Sequence, residues 1–195
     1  EDKQPVSNVS WLNAALFCNW LSRRDGLRPF YVIKYGNLLG FRPDSTGYRM
    51  PTEAEWEWAS KTKGGEKNTF IWGTEYPPPS QTGNFADESL KGDGEKIIDY
   101  NDGFAVSSPV ASFVSNDKGL FDMDGNVAEW VHDFYKATPE TRPEQDPLGP
   151  IGGNSHVIKG SSWKSSSRAS LRSAYRTFQK KSASDLGFRI ARYAR

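Results

Sequence analysis

The chain is poor in the residues that build several common kinds of site. Its 195 residues include one cysteine, Cys18, and two histidines, His132 and His156. A single cysteine excludes an internal disulfide and any metal cluster held by cysteines alone. No apolar run approaches the ~20 residues that a membrane-spanning helix needs, and no signal segment opens the chain. We therefore expect no membrane insertion.

Aromatic residues are abundant although hydrophobic residues in general are not. Hydrophobic residues make up 36% of the chain and aromatic residues 13%, with seven tryptophans. Large aromatic side chains bury much area each, so a few of them can hold many loops. Local signals predict one helix from Trp11 to about Arg23, capped by Ser10, and a second after Thr52, which forms a capping box with Glu55. Cys18 falls within the first helix, which predicts a buried, inert thiol.

The remaining sequence predicts short strands and loops. Strands are expected at residues 30–33, 48–50 and 187–192, where apolar residues alternate with polar ones or form short runs. The pair Gly64-Gly65 is expected to end the second helix, and residues 140–153 form a polar excursion rich in Pro and Gly. This pattern is typical of an α+β domain with a large irregular fraction, in which something besides helices and sheets must fix the loops.

Charge is distributed unevenly along the chain, although the formal net charge is only +1. Residues 159–195 contain ten Lys or Arg residues and one acidic residue, Asp185. Either this part binds an anion, or its arginines bridge loops and acidic residues within one domain, which is the interpretation we favour. Nucleic-acid binding is not expected, since the basic segment is neither a separable tail nor a known reader motif.

Two parts of the sequence combine carboxylates, amides and glycines. The first comprises Gly83–Asp87 together with Asp99–Phe104, and the second is Gly119–Trp130. Hard divalent cations bind six to eight oxygens, from carboxylates, amides and backbone carbonyls. Such clusters also occur in ordinary turns, so that each pattern alone is weak evidence for a cation site.

Six segments, taken in order, resemble one known family. They are Pro5–Trp11, Ala15–Trp20, Tyr48–Ala59, Gly125–Trp130, Lys159–Trp163 and Leu186–Arg189. Together they resemble the formylglycine-generating enzyme (sulfatase-modifying factor) family, nearly from end to end. The resemblance implies one α+β domain over residues 1–195, with a fold related to C-type lectins, little regular secondary structure and, usually, bound calcium. The family domain usually opens with a further strand pair, so we expect that these strands are missing or that the chain, which begins at Glu1, was processed or excised from a longer protein.

The resemblance also implies two calcium sites. The first uses the side chains of Asp122 and Glu129 and the carbonyls of Gly125 and Val127. The second uses the side chains of Asn84 and Asp102 and the carbonyls of Phe85 and Phe104. The alternative is that Asp122 and Glu129 only cap and solvate a turn. A requirement for calcium favours an extracytoplasmic location, periplasmic or secreted, because calcium is plentiful there.

The sequence departs from the family at the positions that carry its oxidative chemistry. Family members that oxidise a sulfatase cysteine use two cysteines that bind copper, and these positions are Ser165 and Ser170 here. A serine hydroxyl is a hard oxygen that is not ionised at neutral pH, so it does not hold Cu(I) as a thiolate does. A tryptophan of the family pocket is Ala128, whereas the serine of that pocket is retained as Ser162. We therefore expect neither copper binding nor formylglycine production.

The leading hypothesis is a calcium-stabilised binding module. Ser162, Trp163 and Arg168 are the candidate ligand-binding residues, and a peptide, a protein or an anionic small molecule is the expected partner, as are other domains of a longer chain. Arg172 and Arg176 are expected to act as structural braces.

The alternative is an oxidoreductase of the same family that uses a different metal or a partner domain, as relatives with non-haem iron do. Those relatives hold iron with three histidines, mostly from a separate domain. Here His132 and His156 are expected to be surface or loop-bridging residues rather than ligands. The serine-rich segment 161–167 lacks the G-x-S-x-G pattern of a nucleophile elbow, which indicates an ordinary loop.

Overall fold

A computed structural model describes residues 3–61, 68–137 and 145–194. Two helices and six strands follow one another in the order α1 (Trp11–Arg24), β1 (Tyr31–Lys34), β2 (Asn37–Phe41), α2 (Glu53–Ser60), β3 (Ala128–Phe134), β4 (His156–Lys159), β5 (Arg176–Gln179) and β6 (Leu186–Phe188). No helix in the described ranges is long and apolar enough to cross a membrane. The predicted helix end at Gly64-Gly65 and residues 140–144 of the predicted excursion lie outside the described residues.

Helix α1 confirms the sequence prediction. The Ser10 hydroxyl accepts a hydrogen bond from the backbone N–H of Asn13 at 3.2 Å, which caps the helix. The helix buries Trp11, Ala14, Ala15, Cys18 and Leu21 on one face. Burial raises the pKa of the Cys18 thiol to about 12, and the thiol is fully enclosed. Cys18 is therefore the buried, protonated residue that the helical pattern predicted.

Helix α2 also begins where the sequence predicts. The Thr52 hydroxyl accepts a hydrogen bond from the Glu55 N–H at 3.2 Å, and the Glu55 carboxylate accepts one from the Thr52 N–H at 2.8 Å. This reciprocal pair is the predicted capping box. Glu55 also forms a bidentate ion pair with the buried Arg49, with distances of 2.6 and 2.7 Å. The cap of α2 thereby neutralises a buried guanidinium.

The strands form two sheets. Strands β1 and β2 form an antiparallel pair, and the larger sheet has the order β5-β4-β3-β6, in which only β3 and β6 run parallel. The strand predicted at 30–33 is confirmed as β1, shifted by one residue.

Two predicted strands differ from the structure. The strand predicted at 48–50 is wrong, since only Arg49 pairs, with Ala191, in an isolated bridge; Pro51, which has no N–H, follows directly. The strand predicted at 187–192 is β6 and ends at Phe188. Phe188 pairs with Trp130 of β3. The carbonyl of the next residue in β3, Val131, accepts a hydrogen bond from the Trp11 indole.

Side chains, and not regular structure, shape the segment from residue 68 to residue 127. This segment contains no α-helix and no strand, only one isolated bridge between Phe70 and Gly73. Its core is a separate cluster of buried side chains, Phe70, Phe85, Ile97, Tyr100 and Leu171. A second cluster joins α1 to the larger sheet through Trp11, Ala14, Ala15, Cys18, Phe30, Tyr31, Met50, Trp130, Ile158 and Leu186. The first predicted cation segment, at residues 83–104, lies within this irregular part of the chain. The second, Gly119–Trp130, begins there and runs into β3.

Candidate functional site

A tight turn before β3 brings the two predicted cation segments together. The N–H of Asn126 donates to the carbonyl of Asn84 at 2.8 Å. Gly125 has a φ of +77°, and a Cβ at this position would lie 2.6 Å from the Asn84 carbonyl oxygen. The left-handed φ and the close approach together explain why glycine occupies this position. The Asn126 amide also bonds the backbone of Ser108 through both its oxygen and its nitrogen.

In the second predicted calcium set, Asn84 and Phe85 are buried and Asp102 and Phe104 are partly buried. The Asn84 side chain donates to the Val106 carbonyl at 2.7 Å, while its Oδ1 is buried without a hydrogen-bond partner among the described residues. The Asp102 carboxylate accepts the N–H groups of Phe85 and Phe104, both at 2.8 Å. Its own backbone N–H donates to the buried Asp87 carboxylate at 2.5 Å. The Asp87 and Asp102 carboxylates are thus linked through the backbone of Asp102, and the Asn84 side chain belongs to the residue before Phe85.

This cluster suits a hard cation by its donor set and its electrostatics. Burial, and to a smaller extent the neighbouring Asp87 carboxylate, raise the pKa of Asp102 to about 7 against the lowering effect of two backbone hydrogen bonds. No described basic side chain forms an ion pair with Asp87 or Asp102. Buried carboxylates without a cation are costly, and an unpaired amide oxygen adds to that cost. Calcium binds carboxylate, amide and carbonyl oxygens, which are the donors present.

The first predicted calcium set fits a metal ion poorly, because Glu129 already forms an ion pair with Arg189. Arg189 donates to both carboxylate oxygens of Glu129, at 2.6 and 2.5 Å, and the Trp56 indole donates to one of them at 2.7 Å. The same guanidinium donates to the Asp122 carbonyl at 3.0 Å. The Asp122 carboxylate accepts the Ala111 N–H at 2.8 Å, and burial raises its pKa.

The structure places both histidines inside the molecule, which corrects part of the prediction. His132 on β3 is buried and His156 on β4 is partly buried. The His156 ring stacks on Trp11 with centroids 3.6 Å apart, and its Nδ1 lies 3.1 Å from the His132 carbonyl. Burial lowers the pKa of His132 to about 3 and that of His156 to about 4. Neither is a surface residue, because aromatic packing encloses both rings.

A metal held by several histidines, cysteines or carboxylates is not indicated by the described residues. Within the ranges that the structure covers, no group of three or more such side chains is arranged to hold a metal ion. The cluster around Asp102 therefore differs from a non-haem iron centre. It offers two carboxylates, and its other donors are amide and carbonyl oxygens.

Of the candidate ligand-binding residues, Ser162 lies beside Asp185, which directly precedes β6, and is itself buried. The Ser162 hydroxyl donates to Asp185 at 2.7 Å, and the Ala128 N–H donates to the Asp185 carbonyl at 2.9 Å. The structure thus brings Ser162 and Ala128 to the same residue, Asp185. Lys164 also donates to Asp185, at 3.3 Å, and lies over the Trp163 ring at 4.8 Å.

Ser165 and Ser170, which the resemblance assigned to the family's cysteine positions, form hydrogen bonds within local turns. The Ser165 N–H donates to the Ser162 carbonyl at 2.9 Å, and the Ser162 N–H donates to the Ser165 hydroxyl at 3.1 Å. The Ser170 hydroxyl donates to the Ser167 carbonyl at 2.9 Å. No described histidine bonds any of these serines, since His156 bonds the His132 carbonyl. Among the described residues, the segment is a hydrogen-bonded loop without a serine–histidine pair.

The arginines near this loop differ from one another. Arg176 forms a bidentate ion pair with Glu53, at 2.7 and 2.8 Å, and is the predicted brace. Arg172 is exposed and its side chain forms no ion pair in the described part of the chain, so the predicted brace is not observed there. Arg168 lies over the Tyr76 ring at 4.9 Å and is exposed, which leaves it accessible to a ligand.

Sequence reasoning missed three residues that organise these sites. Asp87 lies in the predicted cation segment Gly83–Asp87, but only the structure shows that its carboxylate accepts the N–H of Asp102. Arg189 belongs to the Leu186–Arg189 motif, yet its bond to Glu129 spans 60 residues. Asp185 is the single acidic residue of the basic region. That isolation was a signal, because a lone carboxylate among cations is usually paired.

Comparison with known proteins gives matches over nearly the whole chain. Residues 1–194 match the model of the sulfatase-modifying factor enzyme 1-like domain. The chain is 32% identical over 200 residues to the formylglycine-generating enzyme of Mus musculus, covering 96% of this chain and 44% of that protein. It is 31% identical over 195 residues to inactive C-alpha-formylglycine-generating enzyme 2 of Mus musculus, covering 96% of this chain and 48% of that protein. The chain thus spans about half the length of these two relatives.

Solved structures give the same result for the fold. Treponema denticola variable protein 1 is similar with a TM-score of 0.77 and 30% identity, covering 96% of this chain and 70% of that one. PvdO from Pseudomonas aeruginosa has a TM-score of 0.68 at 24% identity, covering 98% of this chain and 63% of that one, which is a likeness of fold alone. The predicted α+β fold with little regular structure is confirmed.

Proposed function

This chain belongs to the family of sulfatase-modifying factor enzyme 1-like domains, and we propose that it is a member that binds a partner and does not oxidise cysteine. The observation that carries the proposal is the position of the one thiol. Cys18 of α1 is enclosed in the core, and the resemblance assigns Ser165 and Ser170 to the positions where copper would need thiolates. The relative named inactive C-alpha-formylglycine-generating enzyme 2 supports a member without that activity.

Calcium at the Asn84–Asp102 cluster is the stabilising ion of this proposal. The buried Oδ1 of Asn84 without a partner and the two adjacent carboxylates, Asp87 and Asp102, support it. The carbonyls of Phe85 and Phe104 complete the donors that the resemblance implied. An ion that binds only the folded form stabilises it by mass action. The Asp122–Glu129 set is the weaker candidate, because Arg189 already neutralises Glu129.

The partner site of this proposal comprises the partly buried Trp163 and the exposed Arg168, together with the buried Ser162. Ser162 is fixed by Asp185, whereas Arg168 is exposed above the Tyr76 ring. An exposed guanidinium on a loop held by a rigid scaffold suits a carboxylate or another anionic group of a peptide or small molecule. An extracytoplasmic location goes with this proposal, since calcium is abundant there.

A mass measurement tests the central claim. The purified chain is incubated aerobically with a Cys-x-Pro-x-Arg sulfatase peptide and copper, and the peptide mass is followed. We expect no loss of mass at the peptide cysteine, and metal analysis is expected to find calcium without stoichiometric copper or iron. Conversion of the thiol to an aldehyde by the unmodified chain would refute the proposal.

A double variant tests whether Ser165 and Ser170 occupy the copper-binding positions of the family. Replacing Ser165→Cys together with Ser170→Cys supplies two soft ligands at the family positions. Tighter Cu(I) binding by this variant than by the parent is expected. Equal copper binding by the two proteins would mean that these positions are not the ones that the family uses.

A further inference from the structure

The outer face of α1 is apolar where the outer face of a surface helix is usually polar. One side of α1 is buried in the core. On the opposite side, Leu16, Phe17 and Trp20 are 40%, 43% and 51% exposed. A surface helix of a globular protein normally carries charged or polar residues on the face that points away from the core. The core of this chain therefore does not explain why three large apolar side chains stand on this face.

The apolar surface extends from α1 onto β6. The Phe17 ring lies 5.5 Å from the Trp20 ring and 5.7 Å from the ring of Phe188 in β6, measured between centroids. Leu16 precedes Trp20 by four residues, a spacing that puts both side chains on the same face of a helix. Leu16, Phe17, Trp20 and Phe188 thus form one surface, the α1 patch.

The C-terminal end of the α1 patch is positively charged. Helix α1 contains no acidic residue, and its last turn carries Arg23 and Arg24. The Arg24 guanidinium lies over the Trp20 ring, 5.4 Å from its centroid, and its Nε forms an ion pair with Asp25 at 2.9 Å. Charged and apolar groups therefore lie in direct contact on this face.

A third arginine lies at the same end of the helix. The Tyr48 hydroxyl donates to the Asp25 carboxylate at 2.9 Å, and Arg192 lies over the Tyr48 ring, 5.7 Å from its centroid. Arg23 and Arg192 are exposed, and neither forms an ion pair in the described part of the chain. Three arginines and one aspartate leave these four side chains with a net charge of +2.

This combination of groups limits what can cover the α1 patch. A second copy of the chain would bring two positive ends together, which is unfavourable. The partner must instead offer apolar material beside negative charge along about 12 Å of helix, the rise from Leu16 to Arg24. An anionic phospholipid surface offers both. Tryptophan, phenylalanine and leucine side chains enter the boundary between headgroups and acyl chains, while arginines are attracted to anionic headgroups.

We propose that the α1 patch docks this protein onto an anionic lipid surface. The apolar side chains of the patch enter the headgroup region, and the arginines at its end contact the lipid phosphates. In this arrangement α1 lies parallel to the surface and no helix crosses the bilayer, in keeping with the lack of a spanning helix in the described ranges. Docking is independent of the partner site around Arg168 and of the calcium cluster.

Co-sedimentation with lipid vesicles tests the proposal. The purified chain is mixed with vesicles of phosphatidylcholine alone, or of phosphatidylcholine and phosphatidylglycerol in equal parts. We expect binding to the anionic vesicles to be at least about 10-fold tighter, since each arginine near an anionic membrane adds to the affinity. Added salt should weaken this binding by screening the charges. No binding to the anionic vesicles, or equal binding to both kinds, would overturn the proposal.

Variants of the apolar side chains locate the contact. Phe17→Gln combined with Trp20→Gln keeps a residue that favours helix at both positions. This double variant should bind the anionic vesicles at least about 10-fold more weakly, because less apolar surface is buried. Trp58→Gln, at an indole of α2 that is 69% exposed, is the control and should bind as the parent does.

Variants of the arginines test the charge. Arg23→Gln combined with Arg192→Gln removes two cations without leaving an acid unpaired, and should weaken binding to the anionic vesicles by about 10-fold. Lys91→Gln combined with Arg172→Gln removes two exposed cations outside the patch and should have no effect. This comparison decides if the variant at Phe17 and Trp20 does not fold.

Unchanged vesicle binding in a folded double variant of either the apolar or the arginine positions would contradict the proposal. Self-association that is lost in the variant at Phe17 and Trp20, without vesicle binding by the parent, would assign the patch to a second copy of the chain and would likewise overturn it.

Fluorescence quenching tests which face meets the lipid. Brominated acyl chains quench the tryptophans that reach the bilayer, and the chain has seven tryptophans. Trp20→Phe keeps an aromatic ring on the patch and should retain binding to anionic vesicles, but with less quenching than in the parent. Trp58→Phe should leave the quenching unchanged. Equal quenching in the parent and in Trp20→Phe would show that another face binds, and would exclude docking through α1.

Discussion

The two sides of this molecule are held together by different means. The sheet side, which contains α1 and the four-stranded sheet, relies on backbone ladders and on stacked rings such as Trp11 on His156. The loop side, residues 68–127, has no α-helix or strand. Backbone N–H groups of its turns donate hydrogen bonds to the carboxylates of Asp87 and Asp102. Ladders satisfy backbone groups by themselves, whereas irregular chain needs side chains for this purpose. The loop side should therefore depend on ions, and the sheet side should not.

The largest expected effect comes from the sheet side. Trp130 is 1% exposed, and its indole donates to the Val9 carbonyl at 2.9 Å. Trp130→Ala is expected to lower the free energy of unfolding by about 3–5 kcal/mol, by the same amount in calcium and in chelator. Urea denaturation under both conditions measures this. Trp58→Ala, at an indole that is 69% exposed, should change the free energy by less than about 0.5 kcal/mol.

Removing a calcium ligand tests the loop side. With calcium at ~100 times its Kd, the parent protein should gain about 2.7 kcal/mol of stability over the protein in chelator. Asp102→Asn should lose this gain, because it removes a charged oxygen, while Asp93→Asn should keep it. Thermal unfolding with calcium and with chelator measures the difference. Identical melting of the parent under both conditions would mean that the two sides do not differ in their dependence on ions.

Acid should weaken the sheet side through its imidazoles. Burial lowers the pKa of His156 to about 4 from an ordinary value of 6.5, so the folded state favours the neutral ring. Its contribution is therefore complete above pH 6.5 and is lost as the pH falls toward 4. His156→Phe keeps the aromatic packing against Trp11 and Phe134. Between pH 7 and pH 4 the parent should lose about 2 kcal/mol more than this variant, as measured by urea denaturation; parallel losses would exclude this role of His156.

The smallest contrast compares two arginines. Arg176 on β5 is paired with Glu53 and lies over the Tyr135 ring at 4.8 Å, whereas Arg172 is exposed in the preceding loop. Arg176→Met should lower the free energy of unfolding by about 1 kcal/mol, because it leaves Glu53 without its partner. Arg172→Met should change it by less than about 0.5 kcal/mol. Chemical denaturation compares the two, and equal effects would contradict the distinction between them.

Local signals made part of the fold predictable. The Thr52–Glu55 capping box and the burial of Cys18 depend on residues within one or two turns of a helix, which a sequence shows directly. The bridge between Arg49 and Ala191 was not predictable in this way, and the strand predicted at 48–50 was wrong. This bridge joins residues that lie far apart along the chain. The enclosed histidines were missed for the same reason, since the rings around His132 come from β1 and β2.

The sequence by itself determined how many thiols this chain can supply. With one cysteine, placed in α1, no fold of this chain can supply two thiolates near Ser165 and Ser170. Only the tertiary structure decided which oxygens are left for a cation. Glu129 forms an ion pair with Arg189, while Asn84 Oδ1 has no hydrogen-bond partner among the described residues. The physical reason is that a charge is satisfied by whichever group lies within a few ångströms, and folding sets that distance independently of separation along the chain.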